Sequence, residues 1–255
     1  MDTLMGGAFV GRQWEVGKLK VILEDALFSQ GRLVMLAGEP GIGKTRTAQE
    51  LSVYAVQCGA QVLWGRCYEE LGMPPYWPWV QIIRSYVRGH EAGQWCSEMG
   101  DGAAGIAEVV PEVKERLPDL QPLPPLEPQQ ARFRLFGSIA TFLIQASRTQ
   151  PLVLVLDNLH WADRSSLLLL EFLVQELADC RILVVGTYRS TELIGRHPLS
   201  HTLGELARHT HCSRVFLQGL SEEEVGSFIQ AGQVTLCIRT LFMQCTLALK
   251  ATLCS

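Results

Sequence analysis

The chain has 255 residues, enough for one large domain or two small ones, with a core that needs no disulfide or metal staple. Hydrophobic residues make up 47% and charged residues 19%, which excludes a disordered chain. The net charge of −4 gives no overall attraction to a phosphate backbone, so direct contact with nucleic acid is not expected.

The longest apolar runs, Leu152–Leu156 and Leu167–Leu170, are far short of the ~20 residues of a spanning helix, so no membrane contact is expected. No charged-then-apolar leader precedes the first motif, which predicts a cytoplasmic location. The eight cysteines form no C-x-x-C pair and no zinc-like spacing with histidine. They read as reduced, mostly buried thiols.

Phe9-Val10-Gly11-Arg12 leads into a helical pattern over about Glu15 to Ser29. A strand is predicted at Leu33–Ala37, then a glycine-rich turn, then a helix from about Lys44 to Cys58, stopped by Gly59. Gln61–Trp64 reads as a second strand. A helix with Pro78 in its first turn then presents Trp79, Ile82, Ile83, Tyr86 and Val87. Six of the twelve prolines fall in residues 111–128, which predicts an extended connector. The next helix, about Gln129 to Ser147, carries Phe133, Phe136, Ile139, Ala140 and Leu143 on one face.

Leu152–Leu156 is an uninterrupted apolar run, as a central parallel strand requires. Asp163 can cap a helix reaching about Leu177, and Ile182–Gly186 reads as another buried strand. A helix near Leu199–Arg208 and a strand at Arg214–Leu217 follow. Ser221-Glu222-Glu223-Glu224 then has capping-box spacing and opens one more helix. Five strands alternating with helices predict an α/β fold, a doubly wound, mostly parallel sheet with helices on both faces. The expected organisation is an N-terminal helix and motif over 1–30, a core over 31–231 with a helical, proline-rich insertion at about 66–150, and an atypical tail at 232–255. Residues from Val225 onward contain no Asp or Glu, a composition that suggests a truncated or frame-shifted end.

One motif carries specific chemistry. Gly38-Glu39-Pro40-Gly41-Ile42-Gly43-Lys44-Thr45 matches G-x-x-x-x-G-K-[ST] between a strand and a helix, with Arg46 in that helix's first turn. Glycines let the loop turn its backbone N–H groups toward one anion, and the helix start adds its dipole. Lys44 supplies a full positive charge for phosphates, and Thr45 a hydroxyl for Mg²⁺. A chance glycine-rich turn is the competing explanation, disfavoured by the flanking strand and helix. Asp157 ends the strand 152–156 at the sheet edge where open α/β folds bind ligands. It is a candidate Mg²⁺ ligand, against the alternative of a turn cap. Arg189, just beyond the fourth strand, can reach an anion on the same edge or stand as a solvated surface residue.

Several further motifs occur in order along the chain: Gly65-Arg66-Cys67-Tyr68-Glu69, Pro74-Pro75-Tyr76-Trp77-Pro78-Trp79, Leu156-Asp157-Asn158-Leu159-His160-Trp161-Ala162-Asp163, and Gly186-Thr187-Tyr188-Arg189. Together with the first motif and the P-loop they resemble the AAA-type ATPase module of the STAND class of signal-transduction ATPases. Such modules occur in large LuxR-type regulators and beside adenylyl cyclase domains, and they are similar to origin-recognition-type ATPases. The resemblance implies ATP and Mg²⁺ as cofactors and a nucleotide-controlled conformational switch. It also implies a partner output domain, DNA-binding or cyclase, and nucleotide-dependent self-association. It places Val10, Gly11 and Arg12 near the adenine, residues 38–45 around the phosphates, and Asp157 on Mg²⁺ through water. Thr187 and Arg189 would sense the γ-phosphate.

The sequence departs from this pattern at Asn158, where AAA-type hydrolases commonly carry an acid that polarises water. Asn can orient a water but cannot accept its proton, so slow hydrolysis is expected. His160 and Asp163 read as a turn residue and a helix cap. Trp77 and Trp79 read as packing residues, and His197, His201, His209 and His211 as a solvated helix end. A DNA-processing ATPase and a P-loop kinase are the alternative functional classes.

Overall fold

Five apolar segments pair side by side, all parallel, into one sheet: β1 (Arg32–Gly38), β2 (Gln61–Arg66), β3 (Leu152–Asp157), β4 (Ile182–Arg189) and β5 (Cys212–Phe216). The computed structural model describes residues 9–69, 73–121, 123–193 and 197–230. The strand order is β2-β3-β4-β1-β5, so the chain leaves β1 for the far edge and later returns to both of its sides. The helices are α1 (Gln13–Leu27), α2 (Lys44–Gln57), α3 (Trp77–Gly89), α4 (Ala92–Met99), α5 (Ala103–Ala107), α6 (Pro111–Arg116), α7 (Pro128–Thr149), α8 (Arg164–Gln175) and α9 (Pro198–Leu206). Among the described residues, no helix is long and apolar enough to cross a membrane.

Strand alternation divides the core in two. Val34, Leu36, Val153, Val155, Leu183 and Val185 point to one face, where α1 contributes Leu19, Ile22, Leu23 and Ala26 and α2 contributes Ala48, Leu51 and Ala55. Leu33, Met35, Leu63, Leu154, Leu156 and Val184 point to the other face, where α3, α7, α8 and α9 lie. Because both faces are covered, the central strands read as continuous apolar runs rather than alternating ones. The predicted doubly wound α/β architecture is the one observed.

Several boundaries differ from the sequence reading. β4 continues through Thr187, Tyr188 and Arg189 because these residues pair with Leu36, Ala37 and Gly38 of β1. The proline-rich connector contains α6: Pro111 stands in its first turn, where a missing N–H and a preset φ do no harm. No further helix occurs among the described residues until Pro128, which opens α7 in the same way. The short helices α4 and α5 offer too few turns for an apolar period to register. Phe136, Ile139, Ala140 and Leu143 are buried as expected, whereas Phe133 is 67% exposed and touches only the flank of the core, edge-on to Phe172.

Gly65, inside β2, shows why one motif glycine is required. A Cβ there would stand 2.2 Å from the carbonyl oxygen of Pro78, in the first turn of α3. Both sides of that contact are backbone, so neither can yield by a rotamer change. Gly65→Ala is expected to destabilise the protein by roughly 1–3 kcal/mol, the usual cost of overpacking. Urea unfolding would measure it, and an unchanged midpoint would mean that strand and helix separate at no cost.

The chain divides into two compact units, with residues 15–217 forming the larger. The smaller joins residues 9–14 to 218–230. Within the smaller unit, Ser221 N donates to Glu224 Oε2 at 2.8 Å and Glu224 N donates to Ser221 Oγ at 3.2 Å. This is the reciprocal capping box expected from the sequence, and residues 222–230 are helical. The tail at 232–255 lies outside the described residues.

Candidate functional site

In the larger unit, the glycine-rich loop leaves β1 at its carboxyl end and turns directly into α2. Gly41 and Gly43 have φ of 76° and 98°, values that residues with a Cβ rarely adopt. Gly43 is also the residue that caps α2, so the helix starts at Lys44 with its first amides directed at the loop. Glu39, Pro40 and Gly41 are exposed at the tip, and Ile42 tucks back against the α1–α2 side of the core.

Lys44 is 7% exposed, and its Nζ donates to the carbonyls of Gly38 at 3.0 Å and Glu39 at 2.7 Å. Burial lowers its pKa, and the positive charge of Arg189 lowers it further; Asp157 and Glu192 act in the opposite direction. These opposing influences place two cations and two carboxylates within electrostatic reach of one another. Arg46, by contrast, is exposed and turns along α2 to Glu50, 3.8 Å away.

The register explains how distant motifs meet. Gly38 on β1 lies opposite Arg189 on β4, and Asp157 on β3 lies opposite Arg66 on β2. Asp157, 3% exposed, accepts hydrogen bonds at Oδ1 from Thr45 Oγ1 at 2.9 Å and from Thr187 Oγ1 at 2.6 Å. Its Oδ2 lies 3.8 Å from Arg66 Nε. Hydroxyl and carboxylate oxygens of this kind are hard donors suited to Mg²⁺, which commonly takes one or two protein ligands and completes its shell with water and phosphate. Among the described residues, no group of three or more His, Cys, Asp or Glu gathers to hold a metal.

Thr187 lies near the carboxyl end of β4, beside Asp157. Its side chain is fully buried beneath Asp157, and its Oγ1 also accepts the backbone N–H of Asn158 at 2.9 Å. Its observed contacts therefore position Asp157 and the turn that follows. Asn158 itself has φ 62° and ψ 45°, the left-handed region that Asn tolerates and Glu does not favour. Backbone geometry thus supplies a reason for the Asn that no sequence pattern offered.

Arg189 lies at the same edge. Its Nη1 is 2.6 Å from Glu192 Oε1, and its guanidinium stands 4.8 Å from the centre of the Trp161 ring. Glu192 and Arg66 were not singled out as site residues by the sequence. Arg66 could have been found by aligning the ends of β2 and β3; Glu192 carried no signal.

Asp163 caps α8 by accepting from Ser166 N at 3.0 Å, as expected. His197 caps α9 through Nδ1 and lies 3.0 Å from the His160 carbonyl through Nε2, and His211 Nε2 lies 2.8 Å from the Val174 carbonyl, so both serve structure and tie distant segments together. Trp79 is a buried packing residue, and Trp77 packs at the core's margin. His160 is not an ordinary turn residue: its ring is buried with both nitrogens unpartnered.

Val10, Gly11 and Arg12 belong to the smaller unit. There Gly11 and Arg12 both have left-handed φ, 75° and 57°. Arg12 N donates to Glu224 Oε1 at 3.0 Å, and Arg12 Nη2 donates to the carbonyl of Gln218 at 2.9 Å. A Cβ at Gly11 would stand 2.6 Å from Glu224 Oε1, the end of a flexible side chain that can yield, so it is the positive φ that favours glycine there.

A parallel sheet with a glycine loop, lysine, hydroxyl and carboxylate at one strand edge defines an α/β nucleotide-binding module of the P-loop type. The AAA ATPase domain family matches residues 8–185, and the chain belongs to that family. Among curated proteins it is 24% identical over 198 residues to an uncharacterized protein, R02095, of Rhizobium meliloti (strain 1021). That alignment covers 72% of this chain and 19% of the relative, so the chain spans about a fifth of the relative's length. Among solved structures, a chain of Drosophila ORC bound to DNA aligns with a TM-score of 0.42 at 13% identity, covering 83% of this chain and 97% of that one. A chain of Drosophila ORC bound to GC-rich DNA and Cdc6 aligns with a TM-score of 0.39 at 14% identity, covering 82% and 61%.

Proposed function

We propose that this chain is the ATP-binding regulatory module of a STAND-class signal-transduction ATPase, in which nucleotide state acts as a conformational switch and hydrolysis is slow. The observation that carries the reading is the convergence of Lys44, Thr45 and Asp157 on one sheet edge, with Thr45 bonded directly to the carboxylate. On this reading residues 38–45 wrap the phosphates, and Thr45 and Asp157 hold Mg²⁺, which would neutralise charge on the phosphate oxygens. Arg189 faces the third phosphate. The module would pass its nucleotide state to an output domain, DNA-binding or cyclase, or to a second copy of itself.

Slow turnover follows from Asn158, whose amide can hold a water but cannot take its proton. Asn158→Asp restores a carboxylate with a residue that also tolerates left-handed φ. It is expected to raise phosphate release severalfold over the wild type, with ATP affinity little changed. Single-turnover assays with Mg·ATP make the comparison. A wild-type rate on the order of 10 s⁻¹, ordinary for an enzyme, would overturn the slow-switch reading.

A further inference from the structure

The loops after β3 and β4 hold His160 and Glu192, two residues beside Arg189 that the nucleotide reading does not use. Glu192 ends the 3-10 turn Ser190–Glu192, and its two oxygens face different partners. Oε1 lies 2.6 Å from Arg189 Nη1, and Oε2 lies 3.5 Å from His160 Nε2. That second approach forms no hydrogen bond, and neither ring nitrogen of the fully buried His160 side chain has a partner. Burial brings the His160 pKa down to about 4, against the raising influence of Glu192, so the ring is neutral near pH 7 and keeps one N–H to donate. A buried polar group left in this condition needs a physical explanation.

We infer that Glu192 is a two-position latch shared between Arg189 and His160: it holds Arg189 in the arrangement observed, and passes to His160 when a nucleotide's third phosphate draws Arg189 away. The inference rests on the proposed ATP site and specifies how that site would tell ATP from ADP. Arg189 and Glu192 are both about one-third exposed, so their ion pair is weak. A phosphate carrying more charge than a carboxylate can outcompete it. Released, Glu192 needs to move its Oε2 less than ~1 Å to reach hydrogen-bond distance of His160. The move gives His160 Nε2 a hydrogen-bond partner, so each position of the carboxylate has a partner. Glu192 and His160 are thus positioning residues that act through Arg189.

The test is calorimetric binding of Mg·ATP and Mg·ADP to the full chain, to Glu192→Gln, to Arg189→Ala and to the double variant. Glu192→Gln weakens the competitor for Arg189 and is expected to raise the ATP-to-ADP affinity ratio about threefold. In the Arg189→Ala background that gain is expected to vanish. A ratio unaltered by Glu192→Gln, or a gain that survives loss of Arg189, overturns the latch. A second readout is the ¹⁵N spectrum of histidine-labelled protein. The His160 ring resonances should move with ATP and stay in place with ADP; equal shifts with both nucleotides overturn the latch. If the wild type binds neither nucleotide, the ATP-site reading fails and the latch fails with it. If binding is intact and the ratio flat, only the latch fails.

Discussion

Lys44→Ala is expected to weaken Mg·ATP binding at least ~10-fold, about 1.4 kcal/mol, while leaving the fold intact. Lys44 is the loop's own cation, and it is held among backbone carbonyls with little exposure to water. Its charge is disfavoured by burial and by Arg189. An anion of multiple charge between the two cations would relieve that repulsion and replace the carbonyl contacts with stronger, charge-assisted ones. Alanine at this position removes the attraction, while the buried Asp157 keeps its hydrogen bonds from Thr45 and Thr187. The carbonyls of Gly38 and Glu39 lose a donor, although Glu39 sits in the exposed tip where water can replace it. Calorimetry of both proteins, with a thermal melt as the control for folding, checks the prediction. Equal affinities would remove the P-loop assignment.

Trp79→Ala is expected to cost roughly 3–5 kcal/mol of stability, the largest single-residue effect anticipated here. The Trp79 ring is fully buried on the side of the sheet that carries the insertion helices. Its Nε1 donates to the carbonyl of Ser166 at 3.0 Å, fastening α3 to the first turn of α8. The substitution would open a cavity and leave that carbonyl without its side-chain donor, two penalties that add. Trp79→Phe keeps most of the ring volume and loses the hydrogen bond, so its cost should fall well below that of alanine. Denaturant titration of the three proteins separates the two contributions. A loss below ~1 kcal/mol for alanine would show that α3 packs loosely enough to collapse onto the gap.

The elements legible in the sequence share one physical property: each is specified by its own neighbours. The apolar runs at β1, β3 and β4 are long enough to demand burial on both faces. The glycine loop between strand and helix declares its own turn, and Ser221 and Glu224 form their capping box across a single helical turn. Proline misled where its two effects diverge. Six prolines between 111 and 128 argued for an extended chain, yet Pro111 and Pro128 sit in first helical turns, where a proline favours the helix.

The candidate site divides along the same line. Lys44, Thr45 and Asp157 were identifiable because their residue types and their places at strand ends suffice to name the chemistry. The sequence put Thr187 at the end of β4, and only the tertiary structure showed its hydroxyl bonded to Asp157. Asn158 appeared as a missing acid, and only the backbone showed a left-handed turn that suits Asn. Arg66 and Glu192 entered through tertiary contacts alone, with Arg66 brought to Asp157 by strand register and Glu192 to Arg189 and His160 by two loops on neighbouring strands.

By itself, then, the sequence determined the α/β class, the glycine loop and the carboxylate that faces it, because these depend on apolar periodicity, glycine conformational freedom and residue chemistry. Only the tertiary structure decided the strand order β2-β3-β4-β1-β5, the required absence of a side chain at Gly65 and the placing of Glu192 between Arg189 and His160. Those features depend on distances between segments tens of residues apart, which strand pairing and core packing set and local composition does not encode.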